Sequence, residues 1–276
     1  MLWIDKEGCG RSMNLFASDL DRTLIYSKRA LSEMETPWNE SMVSVEVKNG
    51  EDVSFMTKES FNKLKEIATK HLFIPVTTRT YEQYKRIFIF EKEMPVTYCV
   101  TSNGANIHYK GEPIKAWKEI IRTRLKRECM EKEGLLEKLQ NYALPGELKV
   151  ADNLFFYYVL KTKIDENVKK ELTKVARENG WNISLQGRKL YFMPIPICKG
   201  EAIKYIKERE GIEQTIGAGD SVLDFPFLNI CQFAYIPSHG ELTLEEIKNP
   251  THNLTIQKGA FAGEEIVSNV HRQFLL

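Results

Sequence analysis

Short apolar runs alternate with helical patterns along most of this chain, and this alternation constrains the fold more than any other feature of the sequence. Runs typical of strands occupy 15–18, 72–76, 96–100, 214–216 and 232–236, and helical patterns occupy 58–70, 80–90 and 199–209. Continuous apolar runs indicate strands buried on both faces, and parallel strands need helical connections of this length. The sequence therefore predicts an α/β fold with a three-layer α/β/α core and a mainly parallel sheet.

The region 112–192 breaks this alternation. It contains a long charged helical pattern at 117–140, an aromatic strand at 154–160, a helix at 165–179 and two strands around Gln186. Because the strand and helix alternation resumes afterwards, we expect this region to be a smaller α+β domain inserted into the first one. The predicted core then comprises 13–111 and 193–276.

A β-hairpin is expected at about 42–57, close to the first apolar run. Alternating apolar residues flank the segment 48–52, and Asn49-Gly50 is a strong signal for a type I′ turn. The hairpin is an addition to the core, and its role does not follow from the sequence.

Composition excludes several classes of function. The 39 basic and 38 acidic residues leave a net charge of +1, so no global charge favours nucleic acid or an anionic membrane. Five cysteines without a Cys-x-x-Cys pair argue against a disulfide framework and a zinc site. No apolar run approaches the roughly 20 residues of a membrane span, and residues 1–12 are too polar for a secretory signal. We therefore expect a cytoplasmic protein.

Two carboxylates follow the first predicted strand directly, in the sequence Asp19-Leu20-Asp21-Arg22-Thr23-Leu24. At the carboxyl end of a buried strand both can face one site. One carboxylate can attack phosphorus while the other exchanges protons, and a divalent cation offsets their mutual repulsion. Taken alone, the same residues also fit a polar turn with a capping Asp.

Four further polar clusters follow in order along the chain: Thr77-Thr78-Arg79, Asn103-Gly104-Ala105, Lys199-Gly200-Glu201-Ala202, and Gly219-Asp220-Ser221-Val222-Leu223-Asp224. An ammonium group at the start of a helix suits a phosphate, because unpaired backbone N–H groups converge there. Asp220 and Asp224 supply the oxygen ligands that Mg²⁺ prefers. Each cluster alone also has a plainer interpretation as a helix cap, a turn or a solvated side chain.

Four of these clusters resemble, in order, the four motifs of the haloacid dehalogenase (HAD) superfamily of phosphohydrolases, which have a Rossmann-like core: the first begins at Asp19, the second at Thr77, the third at Lys199 and the fourth at Gly219. Asn103-Gly104-Ala105 resembles the turn found before the cap in one subgroup. The resemblance covers nearly the whole chain. It is to the subgroup with an α/β cap inserted between the second and third motifs, as in sucrose-phosphate phosphatases, mannosyl-phosphoglycerate phosphatases and phosphomannomutases. The expected inserted domain, 112–192, lies at the position of that cap.

The resemblance implies a role for each motif residue. Asp19 would be the nucleophile and Asp21 the general acid and base, with Thr77 and Lys199 completing the catalytic set. Thr77 and Lys199 would also bind the phosphoryl group, and Arg79, Asn103 and Arg22 are further candidates for binding phosphate or substrate. Asp19, Asp220, Asp224 and the backbone carbonyl of Asp21 would hold Mg²⁺.

The implied function is Mg²⁺-dependent hydrolysis of a small phosphorylated metabolite, with a sugar phosphate favoured, through an aspartyl-phosphate. Two alternatives stay open: a phosphosugar mutase of the same fold, and a weakly active protein that binds a phosphometabolite. The extra hairpin and three departures from the family pattern motivate the second alternative. The departures are Arg22 in place of Gly, Thr78 in place of Gly and Leu223 in place of Asn. The presence of every residue assigned to the chemical steps favours an enzyme.

Overall fold

A computed structural model describes residues 13–242 and 249–275 of the chain and divides it into two compact units. The first unit extends up to Glu112 and resumes at Lys199, and the second unit is Pro113–Cys198. The second unit starts and ends slightly later in the chain than the range 112–192 expected from the sequence. The polar segment 1–12 lies outside the described residues.

The described strands are β1 Leu15–Ser18, β2 Tyr26–Ser27, β3 Met42–Lys48, β4 Glu51–Thr57, β5 Leu72–Pro75, β6 Tyr98–Thr101, β7 Asn106–Tyr109, β8 Glu112–Pro113, β9 Gly146–Ala151, β10 Phe155–Leu160, β11 Trp181–Gln186, β12 Lys189–Pro194, β13 Thr215–Ala218, β14 Phe233–Ile236 and β15 His252–Leu254. The described α-helices are α1 Lys28–Glu33, α2 Lys58–Lys70, α3 Tyr81–Tyr84, α4 Ile89–Lys92, α5 Lys115–Glu128, α6 Lys132–Leu139, α7 Glu166–Glu178, α8 Lys199–Glu210, α9 Phe225–Leu228 and α10 Gly259–Leu275. None of these helices is both long enough and apolar enough to cross a bilayer.

The first unit is built on a five-stranded sheet in the order β15-β14-β13-β1-β5, in which every pairing is parallel. The fully buried strand β1 lies between β13 and β5, with Leu15 opposite both Thr215 and Leu72. The carboxyl ends of these three strands therefore meet at one edge of the sheet, where α/β proteins place their chemistry.

The predicted strand at 96–100 does not belong to this sheet. The observed strand β6 pairs antiparallel with β7 and meets the main sheet through one isolated parallel bridge, between Val76 and Val100. The amide of Thr77 still donates to the carbonyl of Val100 at 2.9 Å. The end of β6 is thus held beside the end of β5, although the strand itself turns away.

Helices α2 and α10 pack together over the core of the first unit. Helix α2 begins after Thr57, whose hydroxyl accepts a hydrogen bond from the amide of Ser60, and it buries Leu64 and Ile67. These side chains join Phe16 of β1 and Val267 of α10 in one apolar cluster. The long helix α10 is absent from the sequence-based prediction, whereas 58–70 was predicted as a helix.

The hairpin consists of β3 and β4 and forms a three-stranded sheet with β2. Asn49 and Gly50 at its tip both have positive φ, 54° and 80°, as a type I′ turn requires. The pairing of β3 with β4 shifts register on both sides of Glu46, so a β-bulge lies there. The bulge leaves two consecutive side chains, Val45 and Glu46, both buried.

The second unit contains an antiparallel sheet in the order β11-β12-β10-β9, together with helices α5, α6 and α7. The predicted long helix at 117–140 is wrong, since the chain breaks between α5 and α6 at 129–131. There the amide of Met130 donates to Asn179 O at 2.9 Å, and the Trp181 indole donates to Met130 O at 2.9 Å. Met130 thus forms hydrogen bonds with the turn before β11 and with the first residue of β11, in place of hydrogen bonds within a continuous helix.

The predicted helix at 80–90 is likewise divided, into α3 and α4. The capping box of Thr80 and Gln83 is present at its start. Strand β9, at the edge of the second sheet, was missed because its residues are mostly exposed and carry no apolar run.

Replacement of Trp181 by Ala should destabilise the second unit. Trp181 is 2% exposed, and its ring lies 5.5 Å from that of Phe156 at an interplanar angle of 47°, so Trp181→Ala removes a large buried ring and its hydrogen bond to Met130. We expect the free energy of unfolding to fall by about 3–5 kcal/mol, measured by urea denaturation. The control Leu148→Ala, at a side chain 40% exposed on β9, should change it by less than about 0.5 kcal/mol. Equal effects would contradict this packing.

Candidate active site

Four charged side chains meet at the carboxyl edge of the parallel sheet. Asp19 follows β1 directly, and its amide donates to Ala218 O at the end of β13 at 2.8 Å. Asp220 follows β13, Lys199 is the first residue of α8, and Asp224 precedes α9. All four are buried, so the sheet topology collects residues that are far apart in sequence.

The Lys199 ammonium lies between two carboxylates. Its Nζ donates to Asp19 Oδ1 at 2.7 Å and to Asp224 Oδ1 at 2.6 Å, and the side chain is 1% exposed. Burial works against the charged ammonium, but the two carboxylates outweigh it and raise the pKa of Lys199. Lys199 therefore stays a cation in the interior.

The carboxylates still outnumber the cation. Burial raises the pKa of Asp19 to about 7, with Lys199 opposing the shift and Asp224 adding to it. Burial and the charges of Asp19 and Asp224 also raise the pKa of Asp220 well above its usual value. A second cation at this place would relieve the repulsion.

The donor set fits a hard divalent cation. One carboxylate oxygen from each of Asp19, Asp220 and Asp224 lies within 4.8 Å of the others. Carboxylate oxygens are the ligands that Mg²⁺ prefers. Asp224 also bonds within the protein, since its Oδ2 accepts from the amide and hydroxyl of Ser221 at 3.0 and 2.8 Å. Asp19 and Asp220 are therefore the better candidates for direct ligands.

Gly219 is required by the close approach of this loop. A Cβ atom at Gly219 would lie 2.4 Å from Cβ of Asp224. The backbone between β13 and Asp220 can therefore pass against Asp224 only without a side chain at this position.

Thr77 and Asn103 contact each other after the end of β5, the strand that pairs with β1. Thr77 is fully buried, and its hydroxyl accepts a hydrogen bond from the amide of Arg79 at 3.1 Å. The amide of Asn103 donates to Thr77 O at 3.0 Å, and that of Ser102 donates to Arg79 O at 2.7 Å. The turn 102–104, with positive φ at all three residues, is thus fixed onto the loop that follows β5.

The Arg79 guanidinium contacts carboxylates. Its Nε and Nη2 donate to the two carboxylate oxygens of Asp21, each at 2.7 Å. Its Nη2 also donates to Glu46 Oε2 at 3.0 Å. Arg79 was predicted to bind phosphate, and here it joins the second motif to Asp21 and to the hairpin.

Glu46 was missed by the sequence analysis. In the run Val43-Ser44-Val45-Glu46-Val47, strict alternation of a strand places a charged residue on the solvent face. The β-bulge reverses that expectation, and no signal in the sequence identifies its position.

Arg22 lies at the rim of the site in a left-handed conformation, with φ of 66°. Its Nη1 donates to Glu33 at 3.2 Å, and its Nε is 3.9 Å from Asp220. Its carbonyl lies 2.8 Å from His239 Nε2, while the amide of Gly259 donates to His239 Nδ1. Because Nδ1 accepts, Nε2 carries the proton and donates to Arg22 O. Burial lowers the pKa of His239, which favours this neutral form.

A family model of sucrose-6F-phosphate phosphohydrolases matches residues 12–234. The chain belongs to this family. It is therefore an HAD-type phosphatase, as the motif order predicted. A comparison with curated protein sequences gave no match.

Solved structures with the same fold are distant in sequence. The sucrose-phosphatase of Synechocystis sp. PCC6803, in complex with sucrose and phosphate, has 16% identity and a TM-score of 0.68, covering 94% of this chain and 98% of that one. A phosphatase of the HAD superfamily from Bacteroides thetaiotaomicron has 11% identity and a TM-score of 0.57, covering 99% of both chains. The haloacid dehalogenase-like hydrolase yhjK from Bacillus subtilis has 15% identity and a TM-score of 0.54, covering 95% and 92%. These likenesses confirm the predicted fold with its inserted cap domain.

The stability of the metal-free protein should depend on the ionisation of Asp19. Because its folded pKa, about 7, exceeds the ordinary 3.8, the folded state holds a proton that the unfolded state has released between these values. This contribution to stability is therefore lost as the pH rises from about 4 to about 7. In EDTA, the free energy of unfolding of Asp19→Asn should increase relative to that of the wild type by about 1–4 kcal/mol as the pH rises from about 4 to about 7. Above pH 7 the difference should stay constant, and urea denaturation measures it. A difference independent of pH would contradict the assignment.

Proposed function

We propose that this protein is a Mg²⁺-dependent phosphatase that hydrolyses a sugar phosphate through an aspartyl-phosphate on Asp19. The observation that carries the proposal is the buried Lys199 ammonium, which holds Oδ1 of Asp19 beside Asp220. It fixes the orientation of the carboxylate and supplies a positive charge where phosphoryl oxygens would arrive. Oδ2 of Asp19 accepts a long hydrogen bond, 3.3 Å, from the Thr23 hydroxyl and is the oxygen proposed to attack.

A sugar phosphate is the proposed substrate class on grounds of family. The matching family model is that of sucrose-6F-phosphate phosphohydrolases, and the Synechocystis structure contains sucrose and phosphate. The substrate is thus a phosphomonoester whose leaving group is a sugar hydroxyl. Such an alkoxide leaves poorly unless it is protonated, so the reaction needs a general acid.

Asp19 and Asp21 divide the chemical work. An oxygen of Asp19 forms a bond to phosphorus while the bond from phosphorus to the sugar oxygen breaks, and Asp21 gives its proton to that oxygen. Water then attacks the phosphorus of the aspartyl-phosphate and gives a proton to Asp21, which releases inorganic phosphate and restores the Asp19 carboxylate. One carboxyl group therefore acts as acid and then as base.

The other residues bind and orient the phosphoryl group. Lys199 and Thr77 are proposed to contact its oxygens, with Asn103 beside them. Asp224 keeps Lys199 in place through the bond at 2.6 Å. Mg²⁺ held by Asp19, Asp220 and the carbonyl of Asp21 would neutralise negative charge on the phosphoryl oxygens.

Loss of the Asp19 carboxylate should abolish turnover without unfolding the protein. Asn at this position keeps the shape of the side chain but is a far weaker nucleophile. We expect release of inorganic phosphate from a panel of sugar monophosphates, with Mg²⁺ present, to fall at least about 10³-fold in Asp19→Asn. Circular dichroism should be unchanged.

The same panel separates the alternatives. Near-native activity of Asp19→Asn would refute the nucleophile assignment. A mutase would transfer phosphate between sugar positions and need a bisphosphate activator, with little net release. A protein that only binds phosphometabolites would release phosphate from no member of the panel, with or without Mg²⁺.

Mg²⁺ should stabilise the protein through its carboxylates. A cation that binds only the folded state, at a free concentration of about 100 times its Kd, adds about 2.7 kcal/mol to the free energy of unfolding. This increase raises the Tm by several degrees. We expect this shift in the wild type and its loss in Asp220→Asn, measured by differential scanning fluorimetry with MgCl₂ against EDTA. The control Asp165→Asn, at the cap of α7, should keep the shift. An unchanged shift in Asp220→Asn would place the metal elsewhere.

A further inference from the structure

The hairpin places a buried carboxylate beside the proposed active site. Glu46 lies at the β-bulge of β3, and its side chain is 3% exposed. A buried carboxylate is stable only when it is paired and hydrogen-bonded. The residues that pair with Glu46 therefore show what the hairpin is joined to.

Glu46 has three partners among the described residues. The hydroxyl of Ser54, on β4, donates to Oε2 at 2.5 Å. The Arg86 Nε donates to Oε1 at 3.1 Å. Arg79 contributes two contacts, with Nη2 donating to Oε2 at 3.0 Å and Nη1 lying 2.9 Å from Oε1. Glu46 thus lies at the centre of a charge network that reaches the second motif.

Arg79 connects this network to the proposed acid and base. Its planar guanidinium carries donors in a fixed fork, so binding one carboxylate orients the donors that remain. Glu46 contacts Nη1 and Nη2 of the guanidinium. Nε and Nη2 donate to the two carboxylate oxygens of Asp21, each at 2.7 Å. The Arg79 side chain is 11% exposed and that of Asp21 is 50% exposed.

An exposed carboxylate on its own would rotate freely among its rotamers. The pairing with Arg79 restricts Asp21 to one orientation, and Arg79 is in turn fixed by a buried partner. A displacement of about 1 Å in a reacting group can slow a reaction by about 100-fold. The hairpin is thus joined to the group whose position matters most for proton transfer.

We propose that Glu46 is a positioning residue that, through Arg79, holds the carboxyl group of Asp21 in the orientation that serves the reaction. The inference rests on the proposed function, since it assumes that Asp21 transfers protons to the leaving oxygen and from water. It assigns the added hairpin a role in catalysis and Arg79 a role as a connector between two carboxylates.

This proposal makes the effect of Glu46 depend on the leaving group. A sugar alkoxide must be protonated as it leaves, whereas para-nitrophenolate leaves with little assistance. A misplaced Asp21 therefore slows formation of the aspartyl-phosphate from a sugar phosphate more than from para-nitrophenyl phosphate. The ratio kcat/KM reports this step, whereas the later hydrolysis of the aspartyl-phosphate is common to both substrates. A general loss of folding would reduce both rates equally.

The test compares Glu46→Gln with the wild type, with Asp21→Asn and with the double variant. For the sugar phosphate that the wild type hydrolyses fastest in the panel, kcat/KM in Glu46→Gln should fall about 10- to 100-fold. For para-nitrophenyl phosphate the fall in kcat/KM should be less than about 5-fold. In the Asp21→Asn background, Glu46→Gln should have no further effect, because the residue through which it acts is already missing.

The control is Glu51→Gln, at an exposed carboxylate on the same hairpin, which should retain wild-type kinetics. If Glu46→Gln does not fold, Arg79→Lys replaces it in the same comparison with Asp21→Asn and the double variant. Lys keeps the positive charge but lacks the planar fork of donors that binds both carboxylates. Multiplicative effects in the double variant, equal losses of kcat/KM with both substrates, or a faster Glu46→Gln enzyme would overturn the inference. A wild type inactive on every phosphomonoester would instead overturn the proposed function.

Discussion

The contact between the buried Lys199 ammonium and the carboxylates of Asp19 and Asp224 is the interaction on which the rest of the site depends. It joins the end of β1, the start of α8 and the start of α9 with bonds of 2.7 and 2.6 Å. Three buried carboxylates could not lie so close together without a cation among them. Because three carboxylates surround one ammonium group, the same arrangement offers oxygen ligands to the divalent cation proposed above.

Two kinds of cation serve two parts of the site. Lys199 is a compact positive charge between carboxylates that, in the proposed function, also bind a metal ion. Arg79 instead binds both oxygens of Asp21 through its planar fork of donors, which fixes the orientation of that carboxylate. The proposed nucleophile, Asp19, thus contacts the core of the first unit, whereas Asp21 is paired with Arg79, which also binds Glu46 of the hairpin. Only Leu20 separates the two carboxylates in the chain, but they contact different structural elements.

The sequence predicted most of the core, and several of the predicted site residues lie together in the structure. Asp19, Lys199 and Asp220 could be brought together in advance because the carboxyl ends of parallel strands share one edge. Glu46 could not, because a one-residue bulge exchanges the faces of a strand without changing its composition. The break of the helix at 129–131 was also hidden, since it follows from hydrogen bonds to Asn179 and Trp181 far along the chain. Hydrophobic periodicity predicts single helices and strands, whereas the bulge at Glu46 and the break at 129–131 depend on contacts between elements.

The position of β1 in the sheet also governs the order in which the protein can assemble. Its pairing with β5 is available early in synthesis, but its pairing with β13 joins Leu15 to Thr215. Until β13 has left the ribosome, one edge of β1 is unpaired, and the whole of Pro113–Cys198 is made in that interval. Contacts of such long range slow folding and expose strand edges to aggregation. A chain that is interrupted before Thr215 therefore exposes an unpaired edge of its buried first strand.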